Sequence, residues 1–236
     1  SIPDISTWQD SPQISGHIDF VKMKSMTNAV IIKTGQMFKD PDFDINWLGA
    51  KEAGLWRGSY WFYDSRMKPN DQADLWRSII GGDLPECGLW MDLEENFGGA
   101  FAGENFLRDF AERVMGNFPS HIDVGVYTAP AWWVARIKAR AYWKQFSLWI
   151  ANYKVTQPAI PPPWTEWFMW QHTDSGNGTA YGVESKEIDL NYYDGSWELF
   201  AAEFGLDKPP PDPQTQTMNI KISFSPDGNS GTWVKE

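Results

Sequence analysis

The 236-residue sequence holds one cysteine, Cys87, which excludes an internal disulfide and any cysteine-cluster metal site. Basic residues are scarce: 20 Lys and Arg stand against 31 Asp and Glu, a formal net charge of −11. Nucleic acid calls for a basic footprint that neutralises phosphates, and an anionic membrane surface calls for the same, so neither is an expected partner. No apolar run is long enough to cross a bilayer, which points to a soluble chain. Ser1 is followed by neither a basic segment nor an apolar signal core, so a secretion signal is expected to be absent or already removed. His17, His121 and His172 are scattered, with no pair at helical ligand spacing, and neither a metal nor any other cofactor is expected. Nucleophile-elbow serines and glycine-rich phosphate loops are also missing.

Aromatic rings are abundant: 15 Trp, 8 Tyr and 14 Phe. So many large faces need cover, either from a ring-rich core or from flat ligands stacked in a cleft. The acidic balance takes weight from nucleobases on a polyanionic strand and leaves sugars open.

Short apolar runs alternate with longer amphipathic segments. Strands are expected at 3–7, 29–33 (AVIIK), 57–63 (RGSYWFY), 88–94 (GLWMDLE), 123–128 (DVGVYT), 147–153 (SLWIANY), 166–171 (EWFMWQ) and 187–191 (EIDLN). Helices are expected at 44–53, 70–80, 103–115 and from Pro130 onward, with a last one near 196–204. Strand followed by helix, repeated, predicts a parallel sheet. The sixth and seventh strands are joined by VTQPAIPPPWT, whose prolines forbid a helix, and the seventh and eighth by Gly- and Ser-rich HTDSGNGTAYGVESK. The pattern predicts an α/β, TIM-like (β/α)5(β)3 barrel over residues 1–206, with its chemistry at the C-terminal ends of the strands. A Pro-rich linker over 207–217 and a hairpin-like tail over 218–236 complete the expected organisation. A lone hairpin is marginal in water, so the tail is expected to dock on the barrel, a missing module or another chain.

In Leu89-Trp90-Met91-Asp92-Leu93-Glu94 the side chains of a strand alternate, so Trp90, Asp92 and Glu94 share one face. Carboxyls two residues apart on a strand have Cβ atoms about 7 Å apart, near enough to drive their pKa values apart. A proton-bearing acid beside an ionised carboxylate is the equipment for cleaving a glycosidic bond, while two solvated charges at a strand end would look the same in sequence. Asp4 on the first strand and Asp189 on the eighth stand at matching places, and those two strands are neighbours in a closed barrel. Cys87, beside Gly88 at a strand start, reads as a small buried apolar group.

The segments DISTWQ, IIKTGQ, DPDFDINWLGAKEAGLWRGSYWFYD, WMDLEE, VGVYTAPAWW, LWIANY, WFMWQHTDSG and IDLN occur in the order found in the glycoside hydrolase family 25 muramidases. The chain resembles that family over about residues 2–205. Trp61 stands where members typically carry His, and Thr34-Gly35-Gln36 where they often read Thr-Glu-Gly; these departures bear on substrate detail. The resemblance implies that Glu94 protonates the leaving glycosidic oxygen. It implies that Asp92 attacks the anomeric carbon or holds the substrate's N-acetyl group so that this group attacks. Asp4 and Asp189 would complete the carboxylate cluster, and Tyr63, Tyr127, Trp149, Tyr153 and Gln171 would line the cleft.

The implied function is hydrolysis of β-1,4 bonds between N-acetylmuramic acid and N-acetylglucosamine in bacterial peptidoglycan strands, by a secreted enzyme or a phage lysin acting on its host wall. A glycan-binding barrel without catalysis and a hydrolase of another N-acetylated glycan such as chitin are the rivals. Keeping both Asp92 and Glu94 argues against the first. The second would call for the longer acid series D-x-x-D-x-D-x-E, which this chain does not supply.

Overall fold

A computed structural model describes residues 1–10, 17–138 and 140–206, together with the backbone of two strands in the tail. Eight strands close into a barrel: β1 (Ile2–Ile5), β2 (Ala29–Gln36), β4 (Trp56–Phe62), β5 (Leu89–Asp92), β6 (Val124–Thr128), β7 (Ser147–Ala151), β8 (Met169–Asn177) and β9 (Glu187–Tyr193). A two-residue strand, β3 (Phe38–Lys39), folds back on the end of β2. Helices α1 (Phe20–Met26), α2 (Phe43–Glu52), α3 (Pro69–Ile80), α4 (Glu104–Asn117) and α5 (Pro130–Arg136) follow the first five barrel strands, and α6 (Trp197–Glu203) follows the last. The expected (β/α)5(β)3 order is therefore present. In the tail, β10 (Ile220–Phe224) pairs antiparallel with β11 (Gly231–Lys235), while the 207–217 linker lies outside the described residues.

Three details differ from the expectation. The α1 helix has no counterpart in it; Asp19 starts this helix by accepting from the Lys22 N–H at 2.9 Å. The strand expected at 166–171 begins at Met169 and runs through HTDSGN to Asn177. The sheet is also not wholly parallel, because β9 runs antiparallel to both β8 and β1. A crossover helix is what returns a strand in parallel, and between β8 and β9 only a short 3-10 turn (Gly178–Tyr181) intervenes. The chain can only reverse there.

Alternation along the strands builds two apolar layers. Ile5, Val30, Ile32, Leu89, Met91 and Val126 face outward and pack under helices that bring Trp47, Trp76, Phe110 and Trp133. Ile2, Ile31, Cys87, Trp90, Trp149 and Met169 fill the barrel interior, and Phe200 of α6 joins them. Most of the tryptophans are therefore core. Most of their polar tips are partnered: Trp76 Nε1 donates to Ser59 Oγ at 2.8 Å and Trp61 Nε1 to Gln72 Oε1 at 3.2 Å, whereas the buried Trp143 Nε1 has no partner. Gly125 sits beside Trp90 on the next strand, and a Cβ there would lie 2.2 Å from the Trp90 ring. Glycine at 125 is what lets Trp90 occupy the middle of the barrel as a floor for the mouth above it.

Buried Arg57, at the start of β4, donates to Glu86 and Asp83 and lies 4.2 Å over the Trp47 ring. It ties β4 to the segment entering β5, the strand that carries Asp92.

Candidate active site

Asp92 is the last residue of β5 and only 4% exposed. The extended backbone continues past it, because the Leu93 N–H donates to the Tyr127 carbonyl at 2.9 Å and Thr128 Oγ1 donates to the Leu93 carbonyl at 2.8 Å. Glu94 is thereby set on the same side as Asp92, one step nearer solvent, and is half-buried. Asp4 on β1 is 5% exposed and pairs in register with Asp189 on β9. All four acids line one cavity of about 200 Å³ at the barrel mouth. Asp189 reaches this mouth because β9 runs antiparallel, so that its third residue, not its last, lies at the end where the parallel strands finish. It was expected near the C-terminal end of a strand; the reversal of β9 corrects that placement.

A hydrogen-bond chain fixes one wall. Tyr127 and Tyr153 hydroxyls both donate to Gln171 Oε1, Gln171 Nε2 donates to Asp4 Oδ2 at 2.9 Å, and Asn191 Nδ2 donates to the same oxygen at 2.8 Å. Trp149 Nε1 in turn holds Asn191 Oδ1 at 2.6 Å. Asp4 is thus immobilised by two amides. Asp92 differs: its Oδ1 is buried and has no hydrogen-bond partner. A buried, unpartnered acceptor carries a desolvation cost that a bound ligand can relieve.

Burial sets the protonation of the cluster, and mutual repulsion adds to it. Burial and then the Asp4 charge push the Glu94 carboxyl up to about 6, with Lys33 opposing them. Burial raises Asp4 to about 6 against the Asn191 and Gln171 hydrogen bonds, and raises Asp189 to about 8 with help from Asp4. Asp92 is pushed up by burial and then by the Glu94 charge. Buried together and repelling one another, these carboxyls hold their protons to higher pH than free carboxyls do.

Eight of the nine residues expected at the site line this cavity: Asp4, Asp92, Glu94, Asp189, Tyr127, Trp149, Tyr153 and Gln171. Tyr63 does not. It lies one residue past the end of β4 with the outward parity of Trp61, fully buried against Phe110 at 5.2 Å between ring centroids, and its hydroxyl donates to the Phe101 carbonyl. The inward residues of β4 are Tyr60 and Phe62, which line the cavity. Alternation within RGSYWFY, phased on the pattern of neighbouring strands, is the signal that finds them. Lys33 shares the inward parity of Ile31 on β2 and was findable in the same way. Asp174 also lines the cavity, and there no simple signal exists: the β8–β9 register slips between Gln171 and Thr173, and the irregularity re-aims the strand. His172 stacks on Tyr192 outside the mouth, with ring centroids 3.8 Å apart.

A TIM-like barrel whose mouth holds a half-buried carboxyl of raised pKa beside a second one has the equipment of a glycoside hydrolase. Residues 3–180 match the family described as Glycosyl hydrolases family 25, and the chain belongs to that family. It is 31% identical over 216 residues to Lysozyme M1 of Streptomyces globisporus, an alignment covering 82% of this chain and 67% of that protein. Among solved structures it is similar to the bacterial lysozyme of Streptomyces coelicolor, with a TM-score of 0.70 and 26% identity over 87% of this chain and 97% of that one. It is likewise similar to the muramidase of Acremonium alcalophilum, with a TM-score of 0.69 and 25% identity over 86% and 97% of the two chains. The enzyme is accordingly a glycoside hydrolase of the lysozyme or muramidase type, with peptidoglycan as substrate.

Proposed function

We propose that this chain cleaves the β-1,4 bond after N-acetylmuramic acid in peptidoglycan strands, with Glu94 as general acid and Asp92 as its partner. The observation that carries the assignment is the difference in environment between the two carboxyls. Glu94 is half-buried near solvent with its pKa raised to about 6, so it holds a transferable proton in mildly acidic conditions. Asp92 lies deeper, with a free buried oxygen. Glu94 gives its proton to the leaving oxygen as the bond from that oxygen to the anomeric carbon breaks. Asp92 meets the positive charge developing at that carbon, either by direct attack or by orienting the N-acetyl group to attack. Water then adds to the carbon, breaking its bond to Asp92 or to the N-acetyl oxygen, and gives a proton to Glu94. Asp4 and Asp189 set the field and position the sugar, while Tyr127, Trp149, Tyr153 and Gln171 supply ring faces and hydrogen bonds. No cofactor enters this scheme. Action outside the producing cell, as a secreted enzyme or a phage lysin, follows from the substrate, and both lysozymes and an endolysin are among the similar proteins.

The test is turbidity loss of purified bacterial walls beside cleavage of soluble chitin oligomers, for the parent and for Glu94→Gln. The amide is nearly isosteric but cannot donate the proton, so wall lysis should fall by at least about 10²–10⁴-fold. Parent-like lysis by Glu94→Gln removes Glu94 from the role. A parent that binds walls without cutting them is a glycan-binding barrel. One that cuts chitin in preference to walls has the other substrate.

A further inference from the structure

Among the described residues, three aromatic side chains stand well into solvent at loops that leave the mouth ends of barrel strands. Trp8, 71% exposed, lies in the 3-10 turn (Thr7–Asp10) after β1. Phe38, 74% exposed, lies in β3 after β2, and Phe97, 49% exposed, lies in the loop after β5. Exposed large rings are costly to keep in contact with water, and grouped at one end of a molecule they mark a binding surface.

These rings are held in place by a built framework. Phe97 lies 6.1 Å from Phe62, a cavity-lining residue, so it continues the wall of the cleft outward. The Arg66 guanidinium sits 4.2 Å over the Phe97 ring and is clamped by Asp64, which also accepts from Gln36 at the end of β2. The Phe97 N–H is tied to Glu95 Oε2 at 2.6 Å. On the other side, Asp40 accepts from the Thr7 N–H at 3.3 Å and so links the Trp8 turn to the segment following Phe38. Phe38 is presented by a strained turn: Met37 has a φ of 56°, a conformation L side chains rarely adopt. At Gly35 a Cβ would lie 2.3 Å from the Phe38 carbonyl, so glycine is needed for the hairpin to fold back this tightly. A strained turn that exposes a phenylalanine is poor economy for folding alone.

The cavity's size supplies the second half. About 200 Å³ is smaller than the roughly 300–1,000 Å³ of pockets that enclose a drug-sized ligand. A polymer bound there must lie mostly outside it, on the surface the strand ends present.

Resting on the proposed muramidase reading, we infer that Trp8, Phe38 and Phe97 form an aromatic lip carrying the glycan strand beyond the carboxyl cleft, so that the enzyme selects long strands over short oligomers. Sugar rings bring apolar C–H faces that lie flat on such side chains, and neutral stacking avoids the acidic cluster. The occupant is the continuation of the substrate strand itself.

The test uses peptidoglycan glycan fragments of graded length. Calorimetric Kd values are measured on Glu94→Gln, with and without Trp8→Ala, Phe38→Ala and Phe97→Ala, and kcat/KM is measured on the catalytically intact chain. Affinity should rise with fragment length, and each ring removed should lower the ratio of long- to short-fragment affinity by about two- to tenfold, the scale of a single aromatic contact. Phe38→Tyr keeps a ring face and should restore most of that ratio, which separates stacking from a change in fold. Length-independent affinity in the parent, or an unchanged ratio in the triple variant, overturns the lip. A parent that neither binds nor cuts wall glycans overturns the muramidase reading and the lip together; one that cuts them at every length alike overturns the lip alone.

Discussion

Replacing the charges around Glu94 should move its titration in opposite directions, and the pH profile of cleavage reads that movement. The Glu94 carboxyl stands at about 6 against an ordinary 4.5, which corresponds to about 2 kcal/mol against ionisation. Burial is the largest cause, the Asp4 charge the next, and Lys33 opposes both. Asp4→Asn removes the repulsion while keeping an oxygen for Gln171 and Asn191 to donate to. With burial left as the main cause, the Glu94 pKa should fall by on the order of half a unit. Lys33→Met removes the attraction and should raise it by a similar or smaller amount. A general acid is active while protonated, so activity is lost as pH rises through its pKa. The alkaline limb of kcat/KM should therefore begin near pH 6 in the parent, shift to lower pH in Asp4→Asn and shift to higher pH in Lys33→Met. Initial rates on soluble muropeptide oligomers from pH 4 to 9, each normalised to its own maximum, give the limb independently of any loss in absolute rate. Limbs that stay together, or that move in the same direction, would mean that a group other than Glu94 carries the proton.

Three further outcomes follow from the same geometry. Asp189 is raised to about 8, chiefly by burial; a raised acid keeps in the folded state a proton that the unfolded chain loses near pH 4, so stability falls as pH climbs from about 4 to about 8. Asp189→Asn should thus stabilise the fold at pH 8 by on the order of 2 kcal/mol once solvent screening at the mouth is allowed for, read as a higher melting temperature, and should leave stability nearly unchanged at pH 4; a gain that is the same at both pH values would contradict this. Tyr63→Phe should cost about 1 kcal/mol in denaturant unfolding through the lost bond to the Phe101 carbonyl, with KM unchanged, whereas Tyr153→Phe should raise KM. A chain ending at Leu206 should still cleave soluble oligomers, since among the described residues every one that lines the cavity precedes it; loss of that cleavage would mean that the tail completes the site.

The barrel's composition was largely legible because alternation and punctuation are local. Leu89, Met91 and Leu93 against Trp90, Asp92 and Glu94 separate into an outward and an inward set by strand geometry alone, and the structure keeps that division. The proline run after β7 forbids a helix wherever it lies. Phase relative to the neighbouring strands is different in kind. RGSYWFY carries rings at four consecutive positions, so its own pattern does not say which pair faces in; the phase has to come from the neighbouring strands, and the packing of Trp61 on Trp76 and Tyr63 on Phe110 holds Tyr60 and Phe62 toward the mouth.

Strand direction and clustering belonged to the tertiary structure. Nothing within EIDLN states that β9 runs backward; the short turn after β8 imposes it, and that reversal brings Asp189 level with Asp4. The slipped register of β8 likewise brings Asp174 to the cavity. Side-chain chemistry is written residue by residue, so the acids themselves could be named from the sequence. Their pKa values depend on burial and on one another's charge, and those exist only once the barrel has closed around them.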